Sequence, residues 1–108
     1  MQLSDEKQKY FNMGYLTKKI LEQNKDTDRN RYLKILEKHN NKYTSNLFKQ
    51  LYPYLVEKNT EYELGYDDLL EQTSILLITT EELNNTEAGY YFTLGLTSSD
   101  KTFTETQK

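Results

Sequence analysis

Two glycines, Gly14 and Gly95, constrain the fold most, because each interrupts a stretch whose apolar residues recur at helical spacing. Residues 11–15 and 92–96 share one pattern: a Phe, a polar residue, Met or Leu, the Gly, and then an aromatic or aliphatic residue. A glycine inside a helix costs about 1 kcal/mol relative to alanine. We therefore expect the two helices to cross closely at these glycines, with the Phe of each motif packed beside them. The alternative is a chance repeat.

The apolar spacing along the whole chain predicts an all-α fold, a compact bundle of about five helices. The predicted helices span residues 5–24, 28–40, 45–58, 66–78 and 80–97, and residues 59–65 form a linker. Pro53 is expected to kink or divide the third helix, since proline lacks a backbone N–H and clashes with the preceding turn. We expect residues 1–108 to form a single helical domain in which residues 98–108 are a frayed tail.

Local signals suggest where these helices begin. Ser4 is a candidate N-cap, and Thr79 followed by Glu82 matches a capping box that would open the fifth helix. β-branched residues at 75–80 leave a short strand open as an alternative to the end of the fourth helix. In the first helix, Lys9 is expected on the polar side with the other lysines.

The chain lacks the residue patterns of an enzyme. It has no Cys and one His, which excludes disulfides, thiolate nucleophiles and multi-His metal sites. Its four Gly are scattered, so no phosphate-binding loop is present. The sequence shows neither a signal peptide nor a run of apolar residues long enough to cross a bilayer. We expect no catalytic residues, no metal, no cofactor and no membrane contact, and a cytoplasmic location.

Charge is divided along the chain. Residues 1–58 hold twelve Lys and Arg against seven Asp and Glu, whereas residues 59–108 hold two against ten. Basic side chains confined to one segment attract phosphate groups even when the whole chain is acidic. The candidate nucleic-acid-binding residues, predicted to contact phosphates without reading sequence, are Lys18, Lys19, Lys25, Arg29, Arg31, Lys34, Lys38 and Lys42. The alternative is that both halves are ordinary solvated surfaces that attract one another in the fold.

Within this set, Arg31, Lys34, Lys38 and Lys42 are spaced by three and four residues, which places them in one stripe along the second predicted helix. His39 lies beside this stripe and is expected to be a surface side chain.

The two aromatic–glycine motifs also resemble those of a known family, the small subunit of the type I-B CRISPR effector complex, Cascade. The resembling segments are residues 11–16 and 90–96, with the polar helix start at residues 79–82 before the second one. In that system the small subunit is similar to the C-terminal helical region of the large subunit. It can be translated separately from an internal start.

The resemblance implies a non-catalytic structural subunit present in several copies. Its partners would be the Cascade backbone and large subunits, further copies of itself, the crRNA and the target DNA, whose backbone it would contact in the R-loop. The basic segment would then face nucleic acid and the acidic segment would face protein. An alternative is a small acidic interaction protein, such as a phage-encoded nuclease inhibitor that uses its carboxylates as a DNA mimic.

Overall fold

A computed structural model describes residues 2–107, and over that range it contains six α-helices and no strand. The helices are α1 (Asp5–Leu21), α2 (Asp26–Lys38), α3 (Ser45–Glu61), α4 (Asp67–Thr79), α5 (Asn85–Thr97) and α6 (Asp100–Thr106). The radius of gyration, 12.8 Å, fits a compact chain of this length. The all-α bundle is therefore confirmed, and the alternative of a strand at residues 75–80 is wrong. None of the helices within residues 2–107 is long and apolar enough to cross a membrane.

Helix α1 occupies the centre of the bundle. Every residue from Gln8 to Thr17 is buried, so the middle of this helix has no exposed face. The helix packs against α2, α3, α4 and α5. Because all sides of α1 are covered, its polar side chains also need partners inside the protein. Asn12 has one in the hydroxyl of Thr73 on α4, to which its amide donates at 3.1 Å.

The predicted crossing of the two glycine motifs is confirmed. A Cβ atom added to Gly14 would lie 2.0 Å from the carbonyl oxygen of Phe92, and one added to Gly95 would lie 2.0 Å from the carbonyl oxygen of Phe11. Each glycine therefore lies against the backbone of the other motif, where no side chain fits. Both phenylalanines are buried beside the crossing.

Helix α3 runs from Ser45 to Glu61 and includes Pro53 without a break. The predicted division near Tyr52 is therefore wrong, and the linker after this helix is shorter than residues 59–65. Pro53 is exposed, so its ring lies on the surface of the bundle and not in the core.

The predicted capping box of Thr79 and Glu82 is also wrong. Thr79 is the last residue of α4, where its hydroxyl donates to the carbonyl of Ile75 at 2.8 Å, and no helix begins after it until Asn85. Helix α5 begins at Asn85, where Asn84 accepts from the N–H of Glu87 at 2.9 Å and donates to its carboxylate at 3.0 Å. The N-cap therefore lies five residues later than predicted, and the Glu87 carboxylate accepts from the side-chain amide of Asn84 instead of from a backbone N–H as in a capping box.

The expected frayed tail is instead helix α6. Ser99 caps it by accepting from the N–H of Thr102 at 3.1 Å. Phe103 is buried and stacks on Tyr15 of α1 with ring centroids 3.7 Å apart. The buried ring of Phe103 thus packs this short helix against the centre of the bundle. The polar composition of residues 98–108 does not predict that contact.

Candidate nucleic-acid interface

Helix α2 presents Arg31, Lys34 and Lys38 along one exposed flank, as the spacing predicts. The helix ends at Lys38, and Asn40 and Asn41 both adopt positive φ angles of 55°. Lys42 therefore lies in the connection to α3, outside the helix, and the predicted stripe is shorter by one residue.

Arg29 does not share this flank. It lies two residues before Arg31, and two residues along an α-helix turn the side chain by about 200°. Arg29 thus extends from the other side of α2. The basic residues of α2 border its exposed surface on two sides instead of forming one line.

The inner face of α2 is fixed by apolar and polar anchors. Tyr32 and Ile35 are buried in the core, and Tyr32 stacks near Phe92 with ring centroids 6.5 Å apart. His39 at the end of the helix is half-buried, and one of its ring nitrogens lies 2.8 Å from Oε1 of Gln50 on α3. His39 therefore ties α2 to α3 and is not the freely exposed side chain that the sequence suggested.

Asp28 is the buried polar anchor at the start of α2. Only 1% of it is exposed, and its Oδ2 accepts a hydrogen bond from the hydroxyl of Tyr62. Its Oδ1 makes no well-oriented hydrogen bond but forms an ion pair with Nζ of Lys58 at 3.3 Å. The hydrogen bond to this carboxylate, together with burial, raises the pKa of Tyr62 above its ordinary value. The carboxylate joins the first turn of α2 to the last turns of α3.

Arg31 is exposed but has a partner. Its Nη1 lies 2.6 Å from Oε2 of Glu57, and its guanidinium carbon lies 4.7 Å from the centre of the Tyr54 ring. Both contacts are with α3 and hold the guanidinium against the protein surface. Part of its charge is thus offset by the protein itself.

Lys18 and Lys19, at the end of α1, lie apart from the basic residues of α2. Their Nζ atoms are 3.9 Å and 3.2 Å from Oδ1 of Asp100, and Lys19 also pairs with Glu22 at 2.9 Å. The hydroxyl of Tyr15 donates to the same Asp100 oxygen at 2.7 Å. This hydrogen bond, with Lys19 as the next cause, lowers the pKa of Asp100. These two lysines therefore tie the first residue of α6 to the end of α1, in addition to the stacking of Phe103 on Tyr15.

Five of the eight candidate residues remain exposed and have no ion pair with any side chain of residues 2–107. They are Lys25, Arg29, Lys34, Lys38 and Lys42. All five belong to α2 or to the connections on either side of it. The structure thus leaves one basic region, centred on α2, with charge available for a partner.

Sequence reasoning missed the role of Lys9. The side chain is 1% exposed, and its ammonium donates to Thr80 Oγ1 and to the carbonyl of Glu81, both at 2.7 Å. It thereby closes the C-terminal end of α4. Burial is the main cause that lowers the pKa of Lys9. A lysine among other lysines gives no sequence signal for such a position.

The second half of the chain presents exposed negative charge, most of it without an ion pair among residues 2–107. Glu61 pairs with Lys58, and Asp100 pairs with Lys18 and Lys19. Its other carboxylates are all exposed and form no ion pair within the part of the chain that the structure describes. They are Glu63, Asp67, Asp68, Glu71, Glu81, Glu82, Glu87 and Glu105.

Comparison with known proteins identifies a family for this chain. Neither a search of curated proteins nor a search of solved structures finds a match. A family model does match, and its description is "CRISPR-associated protein TM1802 (cas_TM1802) C-terminal domain". The match covers residues 1–108, which is the full sequence. The chain therefore belongs to the family of CRISPR-associated TM1802 C-terminal domains.

Proposed function

We propose that this chain is a non-catalytic structural subunit of a Cascade-type CRISPR effector, and that α2 and its flanking connections contact the backbone of the crRNA or the target DNA. The observation that carries the proposal is the group of five exposed cations around α2 that form no ion pair among residues 2–107, in a chain of a CRISPR-associated family. Lysine and arginine without partners in the protein are free to bind phosphate. Such binding is sequence-independent and weakens as salt concentration rises, because it releases condensed counterions.

The remaining three candidate residues are expected to contribute less to phosphate binding. Arg31, Lys18 and Lys19 already have carboxylate partners in the protein. The partners, Glu57 and Asp100, are exposed, so a phosphate can reach these cations. Binding it would break the existing ion pair, which reduces the gain in free energy. We expect these three to contribute less to binding than Lys34 and Lys38.

The proposal also assigns the protein partners. The matched family is described as a C-terminal domain, which accords with the resemblance to the C-terminal helical region of the Cascade large subunit. A separately made small subunit of this kind would bridge the backbone and large subunits, together with further copies of itself. The exposed carboxylates of the second half, which nucleic acid repels, suit protein neighbours.

The alternative function is a DNA mimic that inhibits a nuclease. The exposed carboxylates of the second half favour it, because a mimic needs exposed negative charge. The family match favours the first proposal. The two differ in one observable: a mimic competes with DNA for a nuclease, whereas the proposed subunit binds nucleic acid itself.

The test uses the chain expressed together with the other proteins of its CRISPR system and a crRNA. We expect the chain to co-purify with the crRNA-loaded complex, and the Lys34→Glu/Lys38→Glu variant to lower the affinity of that complex for target DNA at least tenfold. The loss should shrink as salt concentration rises, since phosphate contacts then contribute less. Affinity would be measured by electrophoretic mobility shift at several salt concentrations.

The matched control is Lys7→Glu/Lys101→Glu, which changes the net charge equally at two lysines that lie outside the α2 region and form no ion pair among residues 2–107. We expect this variant to change DNA affinity by less than about threefold. Failure of the chain to co-purify with the crRNA-loaded complex would overturn the subunit assignment. Equal losses for the two double variants would overturn the assignment of the contact to α2.

A further inference from the structure

An open apolar groove lies between α3 and α4. Its volume is about 350 Å³. Phe48, Tyr52 and Pro53 of α3 line one side, and Leu77 and Ile78 of α4 line the other. This groove has no part in the function proposed above.

Apolar surface continues from the groove onto the outer face of α4. Ile78 is 84% exposed, and Ile75, three residues earlier, is 51% exposed. Residues three apart lie on the same face of a helix, so these two side chains form a ridge beside the groove. A groove with an exposed aliphatic ridge suits an amphipathic helix, whose apolar face covers both at once.

The charge around the groove indicates which kind of helix would fit. Glu71 lies four residues before Ile75 on the same face of α4, while Glu81 and Glu82 follow the helix. All three are exposed, and none forms an ion pair among the described residues.

Two lysines also line the groove. Lys49 is exposed on the α3 side, whereas the ammonium of Lys9 is engaged by oxygen atoms of Thr80 and Glu81. The oxygen partners of Lys9 are uncharged and leave its positive charge in place, but its ammonium is buried and cannot meet a partner protein. Lys49 is the exposed cation among the lining residues, and three exposed carboxylates lie on the α4 side, so that side of the groove is acidic.

We propose that this groove binds a basic amphipathic helix of a partner protein. An aliphatic side chain of that helix inserts between Tyr52 and Ile78, and flanking Lys or Arg side chains meet Glu71 and Glu82. The arrangement is the common helix-in-groove mode, with charge complementarity at its edge.

The groove and the α2 region use opposite sides of α3. Tyr54 and Glu57 of α3 contact Asp28 and Arg31 of α2, whereas Tyr52 and Phe48 face the groove. The two surfaces can therefore be altered separately, and failure of one proposal leaves the other standing.

The test titrates the full chain with three synthetic peptides of about 15 residues, long enough to form helix. The first places Leu at every third and fourth position and Lys elsewhere. The second has the same composition in an order that spreads Leu around the helix. The third is the first with Glu in place of Lys. We expect only the first to bind measurably, with NMR shifts concentrated at Phe48, Tyr52, Leu77 and Ile78.

Two variants locate the binding. Ile78→Lys should weaken binding of the first peptide roughly tenfold, because it removes the ridge and repels the peptide. Leu33→Lys is the matched control, since Leu33 is an exposed aliphatic residue on α2, 51% exposed, and should leave the affinity unchanged. Both positions are on the surface, so neither change threatens the fold.

Three results would overturn the proposal. Equal binding of the scrambled peptide would show attraction by charge alone, and equal binding of the acidic peptide would exclude the charge argument. The third is concentration-dependent self-association of the chain, measured by sedimentation, that Ile78→Lys abolishes. That result would mean that the groove is occupied by a second copy of the chain and not by another protein.

Discussion

The crossing of α1 and α5 and the outer surface of α2 differ in how much change each can accept. At the crossing, a Cβ on Gly14 or Gly95 would come within 2.0 Å of a backbone oxygen of the other helix. On α2, by contrast, Lys34 and Lys38 are exposed and have no partner among residues 2–107. The α1–α5 crossing therefore constrains the fold, whereas the exposed positive charge lies on a different part of the molecule, the surface of α2. Substitutions that test the proposed binding need not disturb the fold.

The largest expected effect would come from a methyl group at the crossing. Gly95→Ala should lower the free energy of unfolding by more than about 3 kcal/mol, because the helices must separate to admit the new atom. Chemical denaturation monitored by circular dichroism would measure this loss. Gly89→Ala in the same helix is the matched control. There the new Cβ would meet only the side chain of Tyr43, at 2.9 Å, so the cost should stay within about 1 kcal/mol.

If the two alanine variants lost the same stability, the close approach of the backbones at Gly95 would not be what holds the two helices. The crossing would then accept an added methyl group, and it would no longer differ from the α2 surface, where we expect charge-reversing substitutions to leave the fold intact.

A smaller effect is expected where α2 is anchored. Asp28→Ala should lower the free energy of unfolding by about 2 kcal/mol, because the Tyr62 hydroxyl and Lys58 lose a buried partner. Asp26→Ala is the control in the same first turn. Asp26 is exposed and forms no ion pair in the described part of the chain, so its loss should cost about 0.5 kcal/mol.

Thermal or chemical denaturation of both variants would check this prediction. Equal stabilities for the two would mean that the Asp28 carboxylate contributes no more than a surface acid. Helix α2 would then be held by its other contacts, the buried Tyr32 and Ile35 and the bonds of His39 and Arg31 to α3.

The smallest effect is a dependence on pH where Lys18 and Lys19 meet α6. The hydroxyl of Tyr15 and the ammonium of Lys19 hold the pKa of Asp100 below its ordinary value of 3.8. Stability from a lowered carboxyl pKa is present above the ordinary value and is lost as the pH falls through the folded-state pKa. The wild type should therefore exceed Asp100→Asn in stability at pH 6 by an amount that shrinks below pH 3.8.

Denaturation curves of both proteins between pH 6 and pH 2.5 would measure that difference. A difference that stays constant over this range would contradict the prediction, and with it the pairing that sets Lys18 and Lys19 apart from the free cations of α2.

The sequence by itself determined the helical class, most helix positions and the crossing at Gly14 and Gly95. These features depend on spacings of three and four residues or on the absence of a side chain, which are local properties of the chain. The basic character of residues 1–58 was equally legible, and so were the exposed Lys34 and Lys38.

Only the tertiary structure decided which charges are free. Lys9 is buried by residues more than 70 positions later in the chain, and Lys19 is paired with Asp100, 81 positions later. Phe103 of α6 likewise stacks on Tyr15 of α1, which lies far earlier in the chain. Such contacts depend on how distant segments are brought together. The apolar pattern of a single segment does not predict which distant segments will pack against it. Two lysines in similar sequence surroundings can therefore differ in the fold, as the buried Lys9 differs from the exposed Lys34.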